Sequence, residues 1–167
     1  MILNIAKFPN KILQSTTQTV EFPLSDEVIQ LTKDMTDTVK DADGIGLAAP
    51  QVDKMYKLIV VNLEKSGGAL FPLYNPKIIF GSKEQWELEE GCLSIPGVFG
   101  VLKRPKKVTI QAQNRKGGII KIIDDGWISR IVQHEVDHTN GILILNHIEK
   151  YTQGEDLVKK WKKKRLL

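Results

Sequence analysis

Residues 133–138 carry the sequence Gln-His-Glu-Val-Asp-His, and the interpretation of the whole chain starts from this stretch. It contains the pattern His-Glu-x-x-His. On an α-helix, positions i and i+4 lie on the same face, so His134 and His138 can offer imidazole nitrogens to one metal ion. Glu135 lies beside the first of these, where its carboxylate can exchange a proton with a water activated by the ion. The stretch therefore predicts a hydrolytic metal site, although so short a pattern also arises by chance.

The residues on either side of this stretch predict the helix that the metal site requires. Asp125 is a suitable N-cap, and Asn140 followed by Gly141 is a typical helix end. Apolar residues recur at helical spacing at Trp127, Ile128, Ile131, Val132 and Val136.

Length and composition are those of an ordinary globular protein. The chain has 167 residues, of which 41% are hydrophobic and 26% charged, and this suits a single domain with one sizeable core. We expect neither a membrane span nor a signal peptide, because no apolar run is long enough and Lys7 and Pro9 interrupt the N-terminal segment. The single cysteine, Cys92, excludes an internal disulfide and favours a reducing cytoplasm.

The remaining secondary structure follows from hydrophobic spacing and turn residues. Residues 1–24 are expected to be extended or irregular, and Ser25 is a suitable N-cap for a helix over 25–41. A loop is expected at 97–106, and a turn at 114–118 predicts a hairpin between its flanking strands. Strands are predicted at 58–61, 72–80, 85–89, 107–113 and 119–123, with a terminal helix at 156–167.

Two further blocks stand out. Residues 44–51 are Gly-Ile-Gly-Leu-Ala-Ala-Pro-Gln, in which the glycines permit close backbone approaches, and residues 90–94 are Glu-Gly-Cys-Leu-Ser. Cys92 could be a small buried hydrophobe, as free cysteines often are. Together with His134 and His138 it would instead complete a three-ligand site. Such a site leaves the fourth position for water, which is typical of a hydrolytic centre rather than a structural one.

These three blocks, in this order and at these separations, resemble the signature motifs of the peptide deformylases, and the resemblance covers nearly the whole chain. It implies an α+β fold with antiparallel sheets packed around the central helix that carries His-Glu-x-x-His, and a C-terminal helix. It implies one catalytic domain over residues 1–167. The implied activity is that of a metal-dependent hydrolase. It would remove the N-formyl group from the N-terminal formyl-methionine of nascent polypeptides, releasing formate, during co-translational protein maturation.

The resemblance also implies a ligand set and a proton-transfer group. Cys92, His134 and His138 match the metal ligands of the family, and Glu135 matches its general base and acid. One divalent ion is expected. Fe(II) is typical of bacterial members, while Zn(II) or Ni(II) can occupy the site, and thiolate with imidazole suits several divalent ions.

Further positions match the residues that surround the reacting group. The side chain of Gln51 and the backbone N–H of Leu93 match the donors to the developing oxyanion, although Gln51 without the glycine block would be interpreted as a surface amide. A metal, an amide and a backbone donor suit the charge that accumulates on the formyl oxygen. The substrate pocket is expected to include Ile45, Gly46, Glu90, Gly91 and Trp127.

Several neighbouring residues keep two interpretations. Trp127 and Phe99 could shape the pocket or belong to the core, and Asp137 could orient a ligand or its helix. Glu90 and Arg104 match a structural salt bridge of the family. The chain departs from the common family pattern away from the ligand positions, at Thr139, Asn140 and Asn146.

Two other classes of protein remain open at this point. A zinc protease would take a third ligand downstream, from His147, Glu149 or Glu155, but would leave Cys92 and the glycine block unexplained. His147 lies off the helix face and is expected to be structural or exposed. A non-catalytic protein could keep the fold and contact the ribosome through its basic C-terminus.

The net charge of +4 comes from the C-terminus, since the rest of the chain is slightly acidic. Leu157, Val158, Trp161 and Leu166 form the apolar side of the terminal helix, which could simply dock on the body. In the resembling family such a helix docks on the ribosome, so a ribosome contact through phosphates is expected, without sequence-specific nucleic-acid binding. The basic residues of this segment are Lys159, Lys160, Lys162, Lys163, Lys164 and Arg165.

Overall fold

The computed structural model describes residues 1–166 and combines helices with antiparallel strands. The α-helices are α1 (Asp26–Asp41), α2 (Trp127–Thr139) and α3 (Glu155–Lys163). The strands are β1 (Gly46–Ala48), β2 (Leu58–Asn62), β3 (Leu70–Gly81), β4 (Gln85–Gly91), β5 (Phe99–Pro105), β6 (Val108–Gln113), β7 (Ile119–Asp124) and β8 (Lys150–Gln153). Short 3-10 helices occupy Lys11–Gln14, Ala49–Val52, Glu64–Ser66 and Ile144–Asn146.

The strands form two sheets, and neighbouring strands in both are antiparallel. The larger sheet has the order β1-β2-β3-β6-β7, and the smaller has the order β4-β5-β8. The predicted α+β class with antiparallel sheets is confirmed. Each helix among residues 1–166 is too short or too polar to cross a membrane.

Alternation along β2 explains how two helices pack on the larger sheet. Successive side chains of a strand point to opposite faces. Leu58 and Val60 pack in the cluster that includes α1, whereas Ile59 and Val61 pack in the cluster that includes α2. Helix α2 contributes Ile131, Val132 and Val136 to that second cluster. The helix with the His-Glu-x-x-His pattern is thus held against the sheet by its apolar side.

The start of α2 differs from the prediction. The N-cap position is Gly126, so the prediction of Asp125 is wrong. The carboxylate of Asp124, at the end of β7, accepts hydrogen bonds from the N–H groups of Gly126 (2.8 Å) and Ser129 (2.7 Å). Asp124, one position before the predicted cap Asp125, therefore accepts hydrogen bonds from N–H groups at the start of the helix.

The prediction of a loop at 97–106 is also wrong, because Phe99–Pro105 is strand β5. Its buried positions alternate correctly, but they are occupied by Gly100, Leu102 and Arg104. Since two of these three residues are not hydrophobic, the alternation is hidden in the sequence. Strand β1 likewise lies within the glycine block, where only a break was expected.

Helix α3 is shorter than predicted, since it ends at Lys163, and position 167 lies outside the described residues. Val158 is buried, and the Trp161 ring lies 4.8 Å from the Phe8 ring. Val158, Trp161 and Leu166 of the predicted apolar side are therefore docked on the body. The prediction is wrong for Leu157, which is exposed, as are the lysines.

Candidate active site

Cys92 follows the end of β4, and the two histidines lie on successive turns of α2. The ligand atoms of Cys92, His134 and His138 lie within 4.8 Å of one another, and Cys92 Sγ lies 3.2 Å from His138 Nε2. The fold thus brings one thiol and two imidazoles to one point. This donor set could hold a divalent metal ion such as iron, zinc or nickel.

A network of charged side chains orients His134 through its Nδ1 atom. His134 Nδ1 lies 2.9 Å from Glu90 Oε2, which leaves Nε2 as the ring nitrogen available to a metal. Glu90 also accepts two hydrogen bonds from Arg104, at 2.8 and 3.1 Å, so the predicted salt bridge is present. Arg104 donates in turn to Asp137 at 2.7 Å. Asp137 therefore acts on the network rather than on the ligand cluster.

The electrostatics of the cluster favour the charged form of the thiol. Burial opposes ionisation of Cys92, but the facing imidazoles of His138 and His134 hold its pKa well below the usual range. Burial also opposes charge on His134, yet its hydrogen bonds with Cys92 and Glu90 raise its pKa well above the usual value. Because the thiolate is the form of cysteine that binds metals, this environment prepares Cys92 as a ligand.

Glu135 points into the site without a partner for one of its oxygens. The residue is 4% exposed, and its Oε2 atom has no hydrogen-bond partner among residues 1–166. Burial raises the pKa of this carboxyl group. A Cβ atom at Gly46 would overlap Glu135 Oε1, so only glycine lets strand β1 pass this close. The glycine block thereby makes room for the carboxylate.

Gln51 is 1% exposed, so its alternative interpretation as a surface amide is wrong. Its Oε1 accepts from the Ala48 N–H at 2.8 Å, which directs the amide nitrogen towards Ser94 Oγ (3.2 Å) and Cys92 Sγ (3.7 Å). No acceptor within the described residues takes the N–H of Leu93. The amide nitrogen of Gln51 therefore lies next to the cluster, and the Leu93 N–H is a second donor that has no acceptor among the described residues.

A cavity of about 570 Å³ opens next to these groups, between β4 and α2. The exposed fractions of Trp127 (57%) and Phe99 (38%) show that both side chains form its wall rather than the core. The Trp127 ring lies 5.6 Å from that of Trp86. All five residues predicted for the pocket line the cavity, namely Ile45, Gly46, Glu90, Gly91 and Trp127.

Sequence reasoning missed several wall residues, among them Arg130, which lies one helical turn before His134. The i, i+4 relation to a predicted ligand was the signal that could have identified it. The structure places the downstream residues of the protease alternative elsewhere. His147 contacts Asp137 (3.2 Å), Glu149 pairs with Lys103 (2.9 Å), and Glu155 pairs with Lys159 (3.0 Å).

Comparison with known proteins gives a consistent result. The family model described as Polypeptide deformylase matches residues 2–154. Peptide deformylase 1 of Bacillus cereus is 36% identical over 156 residues, which span 93% of this chain and 98% of the relative. The peptide deformylase of Acinetobacter baumannii strain SDF is 40% identical over 147 residues, or 88% of this chain and 83% of the relative.

Solved structures agree with these relatives. The actinonin-bound class I type b peptide deformylase from Acinetobacter baumannii superimposes with a TM-score of 0.82 at 34% identity, over 89% of this chain and 99% of that one. The peptide deformylase from Thermotoga maritima gives a TM-score of 0.83 at 31% identity, with the same coverage. The chain belongs to the polypeptide deformylase family, whose members are enzymes that remove the N-formyl group from nascent polypeptides.

Proposed function

We propose that this chain, acting as one catalytic domain, deformylates peptides with Cys92, His134 and His138 as ligands of one divalent ion. Glu135 is the proton-transfer group of the proposal. The observation that supports it most is the meeting of the single thiol with two imidazoles beside a buried carboxylate oxygen that has no partner among the described residues. When bound, the ion supplies a Lewis acid for the formyl carbonyl and lowers the pKa of a water to about 7.

Glu135 then acts first as a proton acceptor and afterwards as a proton donor. Its free Oε2 can accept the proton of the attacking water. Burial raises the pKa of this carboxyl group, which favours the protonated form. The same proton can be given to the departing amino group of methionine. One buried carboxyl group can therefore act as base and then as acid.

Charge that develops on the formyl oxygen requires donors that are already in place. The amide nitrogen of Gln51 is fixed by the bond from Ala48 N–H to its own Oε1, so it loses little freedom when it donates. The Leu93 N–H is the second donor of the proposal. Preorganised donors of this kind are often the largest single contribution to catalysis.

The cavity suits a methionine at the start of an extended peptide. Strands β1 and β4 are edge strands of the two sheets, so their backbones can pair with an added strand. Ile45, Gly46, Glu90 and Gly91 lie on or beside these strands. Trp127 supplies an apolar surface for the flexible thioether side chain.

We infer Fe(II) as the native ion, with Zn(II) or Ni(II) able to replace it. The test is purification without oxygen, followed by metal analysis and a formate-release assay with formyl-methionyl peptides on the same sample. The expected result is one ion per chain and formate release that decays in air, because a thiolate with Fe(II) is open to oxidation. An iron-loaded protein that releases no formate would contradict the proposal and favour the non-catalytic alternative.

We also propose that α3 contacts the ribosome in the cytoplasm, where the substrate emerges. Its apolar side is docked on the body, so its exposed lysines are free to meet RNA phosphates. Deletion of the helix would uncover Phe8, so charge removal is the better test. We would compare a variant with glutamine at Lys160, Lys162, Lys163 and Lys164 with a control carrying glutamine at Lys33, Lys77, Lys116 and Lys121.

Co-sedimentation with ribosomes across a salt series distinguishes these two variants. The tail variant is expected to bind more weakly and with a smaller salt dependence, because fewer counterions are released. Activity on short peptides should be unchanged in both. Equal ribosome binding by both variants would reject the contact.

A further inference from the structure

The walls of the cavity belong to two elements that are held together by polar contacts. The hydrophobic cluster of α2 is shared with the five-stranded sheet, not with β4. Arg130 and His134 are the two side chains of α2 that make polar contacts with β4 within the described residues. Trp127 of α2 also packs against Trp86 of β4, with ring centroids 5.6 Å apart. Since His134 is a proposed ligand, Arg130 is the polar contact between the walls that can be replaced without removing a ligand.

We propose that Arg130 is a positioning residue that sets the width of the cavity and thereby its selectivity for the substrate side chain. The inference rests on the proposed function, which places the methionine side chain in this cavity. Arg130 is 4% exposed and lines the cavity together with Leu88 on the opposite wall. It acts through the backbone of β4 and has no part in the chemical step.

The guanidinium group of Arg130 reaches both strands of the β4–β5 hairpin. Nη1 donates to the carbonyl of Trp86 (2.5 Å), and Nη2 donates to those of Leu88 (3.3 Å) and Leu102 (3.0 Å). Nε lies against the carboxylate of Glu90. A planar group with donors in fixed directions holds these acceptors at defined positions, which a lysine cannot reproduce.

The same contacts reach the mouth of the cavity. Because Arg130 binds the backbone of Trp86, it also helps to fix the Trp86 ring, which packs at a tilt against Trp127. Without the guanidinium, β4 could move away from α2, and side chains of other sizes would enter. The cavity would then bind methionine less tightly and reject other residues less well.

The ligand cluster should survive this loosening. Glu90 is shared between Arg130, Arg104 and His134, so Arg104 still holds the carboxylate when Arg130 is replaced. The proposal therefore predicts a change in peptide binding with the metal retained. This combination separates a positioning role from a general loss of structure.

The experiment compares Arg130→Met, which keeps an apolar stem, with Arg130→Lys, which keeps the charge. We would measure kcat and KM for formyl-methionyl, formyl-norleucyl, formyl-alanyl and formyl-phenylalanyl peptides, with metal content and thermal midpoint on the same samples. For Arg130→Met we expect KM for the formyl-methionyl peptide to rise on the order of tenfold, since buried hydrogen bonds to a charged group are lost. Its kcat should stay within about threefold, and the preference for methionine should shrink. Arg130→Lys should restore part of this preference.

A binding measurement gives a second readout that does not depend on turnover. Calorimetry with a methionyl tripeptide, which is the reaction product, should show the same loss of affinity as KM. If the unchanged protein released no formate, the proposed function would fail. The Arg130 proposal would then depend on the ratio of the affinities for the methionyl and alanyl tripeptides. It would stand if this ratio is smaller in Arg130→Met than in the unchanged protein, and fall if the ratio is the same.

Ser129→Ala is the matched control. Ser129 Oγ donates to the Lys106 carbonyl at 2.9 Å, so it also joins α2 to its neighbours, but it does not line the cavity. We expect its peptide selectivity and KM to be unchanged. Unaltered selectivity in Arg130→Met, or an equal shift in Ser129→Ala, would overturn the proposal.

Discussion

The two sides of α2 are built from different chemistry. Towards the five-stranded sheet the helix presents Ile131, Val132 and Val136, which pack in a hydrophobic cluster. Towards the three-stranded sheet it presents Arg130 and His134, which meet carbonyl groups and a carboxylate. The apolar side can tolerate some repacking, because hydrophobic contacts are not directional. The polar side cannot, since each of its contacts has a defined geometry.

This difference explains where the proposed chemistry lies. Buried ion pairs contribute little net stability, because the cost of removing charges from water offsets their attraction. The polar side of α2 therefore does not serve primarily to stabilise the fold. It places His134 and Glu135 at fixed positions beside Cys92, while the apolar side keeps the helix on the larger sheet. Substitutions that break one side at a time should therefore have different effects.

The largest effect is expected for Glu135→Gln. Turnover should fall about a hundred- to ten-thousand-fold, because the amide cannot accept a proton. Metal content should be unchanged, and the free energy of unfolding should not fall, because burial already disfavours the charge of this residue. The check is kcat with metal analysis, and a fully metallated variant with near-normal turnover would remove Glu135 from the proposed role.

Arg104→Met tests the polar side as a structure. The substitution removes the guanidinium group that pairs with Asp137 and one of the groups that pair with Glu90. Loss of one member of a buried ion pair costs about 3–5 kcal/mol of unfolding free energy. Metal affinity should fall as well, since Glu90 orients His134. Chemical denaturation and metal titration would measure both effects, and a variant as stable as the parent protein would contradict the account of this network.

Gln51→Ala should affect turnover more than binding. Removal of one oxyanion donor costs about 2.7–4 kcal/mol of transition-state stabilisation in a well-studied hydrolase. We expect kcat to fall and KM to change little, because the donor acts on charge that appears only in the transition state. Steady-state kinetics would show this, and a rise in KM alone would make Gln51 a substrate-binding residue.

Val132→Ala tests the apolar side. The side chain is fully buried, so its truncation should cost about 2 kcal/mol of unfolding free energy. Activity per folded molecule should be unchanged, because the residue does not line the cavity. Denaturation curves and kcat would be measured on the same samples. A fall in turnover together with stability would contradict the claim that this side of the helix acts only on stability.

Lowering the pH should reduce the contribution of the polar side of α2 to the free energy of unfolding. Burial opposes charge on Glu90, yet His134 and Arg104 hold its pKa below the ordinary value of 4.5. A lowered pKa in the folded state means that the ionised carboxylate stabilises the protein above pH 4.5 and that this contribution is lost as the pH falls below it. Unfolding free energies from about pH 7 down to about 3 should show this loss, and Arg104→Met should show a smaller one.

Much of the site is predictable from the sequence because its signals are local. The i, i+4 spacing of His134 and His138 predicted two ligands on one helix face, and the resemblance of three sequence blocks to one family added Cys92 as the third. Strand β5 was missed because Arg104 occupies a buried position that is normally hydrophobic, and its burial depends on Glu90, fourteen positions earlier. The spacing of Arg130 from His134 could have placed it beside the site, but its partners are backbone carbonyls, which no sequence pattern indicates.

The helix boundaries show the same limit. Asp125 and Asp124 are chemically equivalent as caps, and only the direction in which β7 delivers the chain selects Asp124. Local propensity therefore predicted that a helix begins here but not which carboxylate caps it. In the C-terminal segment, apolar spacing predicted a helix that could dock on the body, as α3 does through Val158 and Trp161, but neither the exposure of Leu157 nor the end at Lys163 was predicted.

The central claim is that deformylation depends on an ion held by Cys92, His134 and His138. Its most direct test is Cys92→Ser, prepared without oxygen beside the unchanged protein, with metal content and formate release measured on the same samples. The account predicts one ion per chain and formate release for the unchanged protein, and the loss of both in Cys92→Ser. A folded Cys92→Ser variant that keeps its ion and its formate release would contradict the claim.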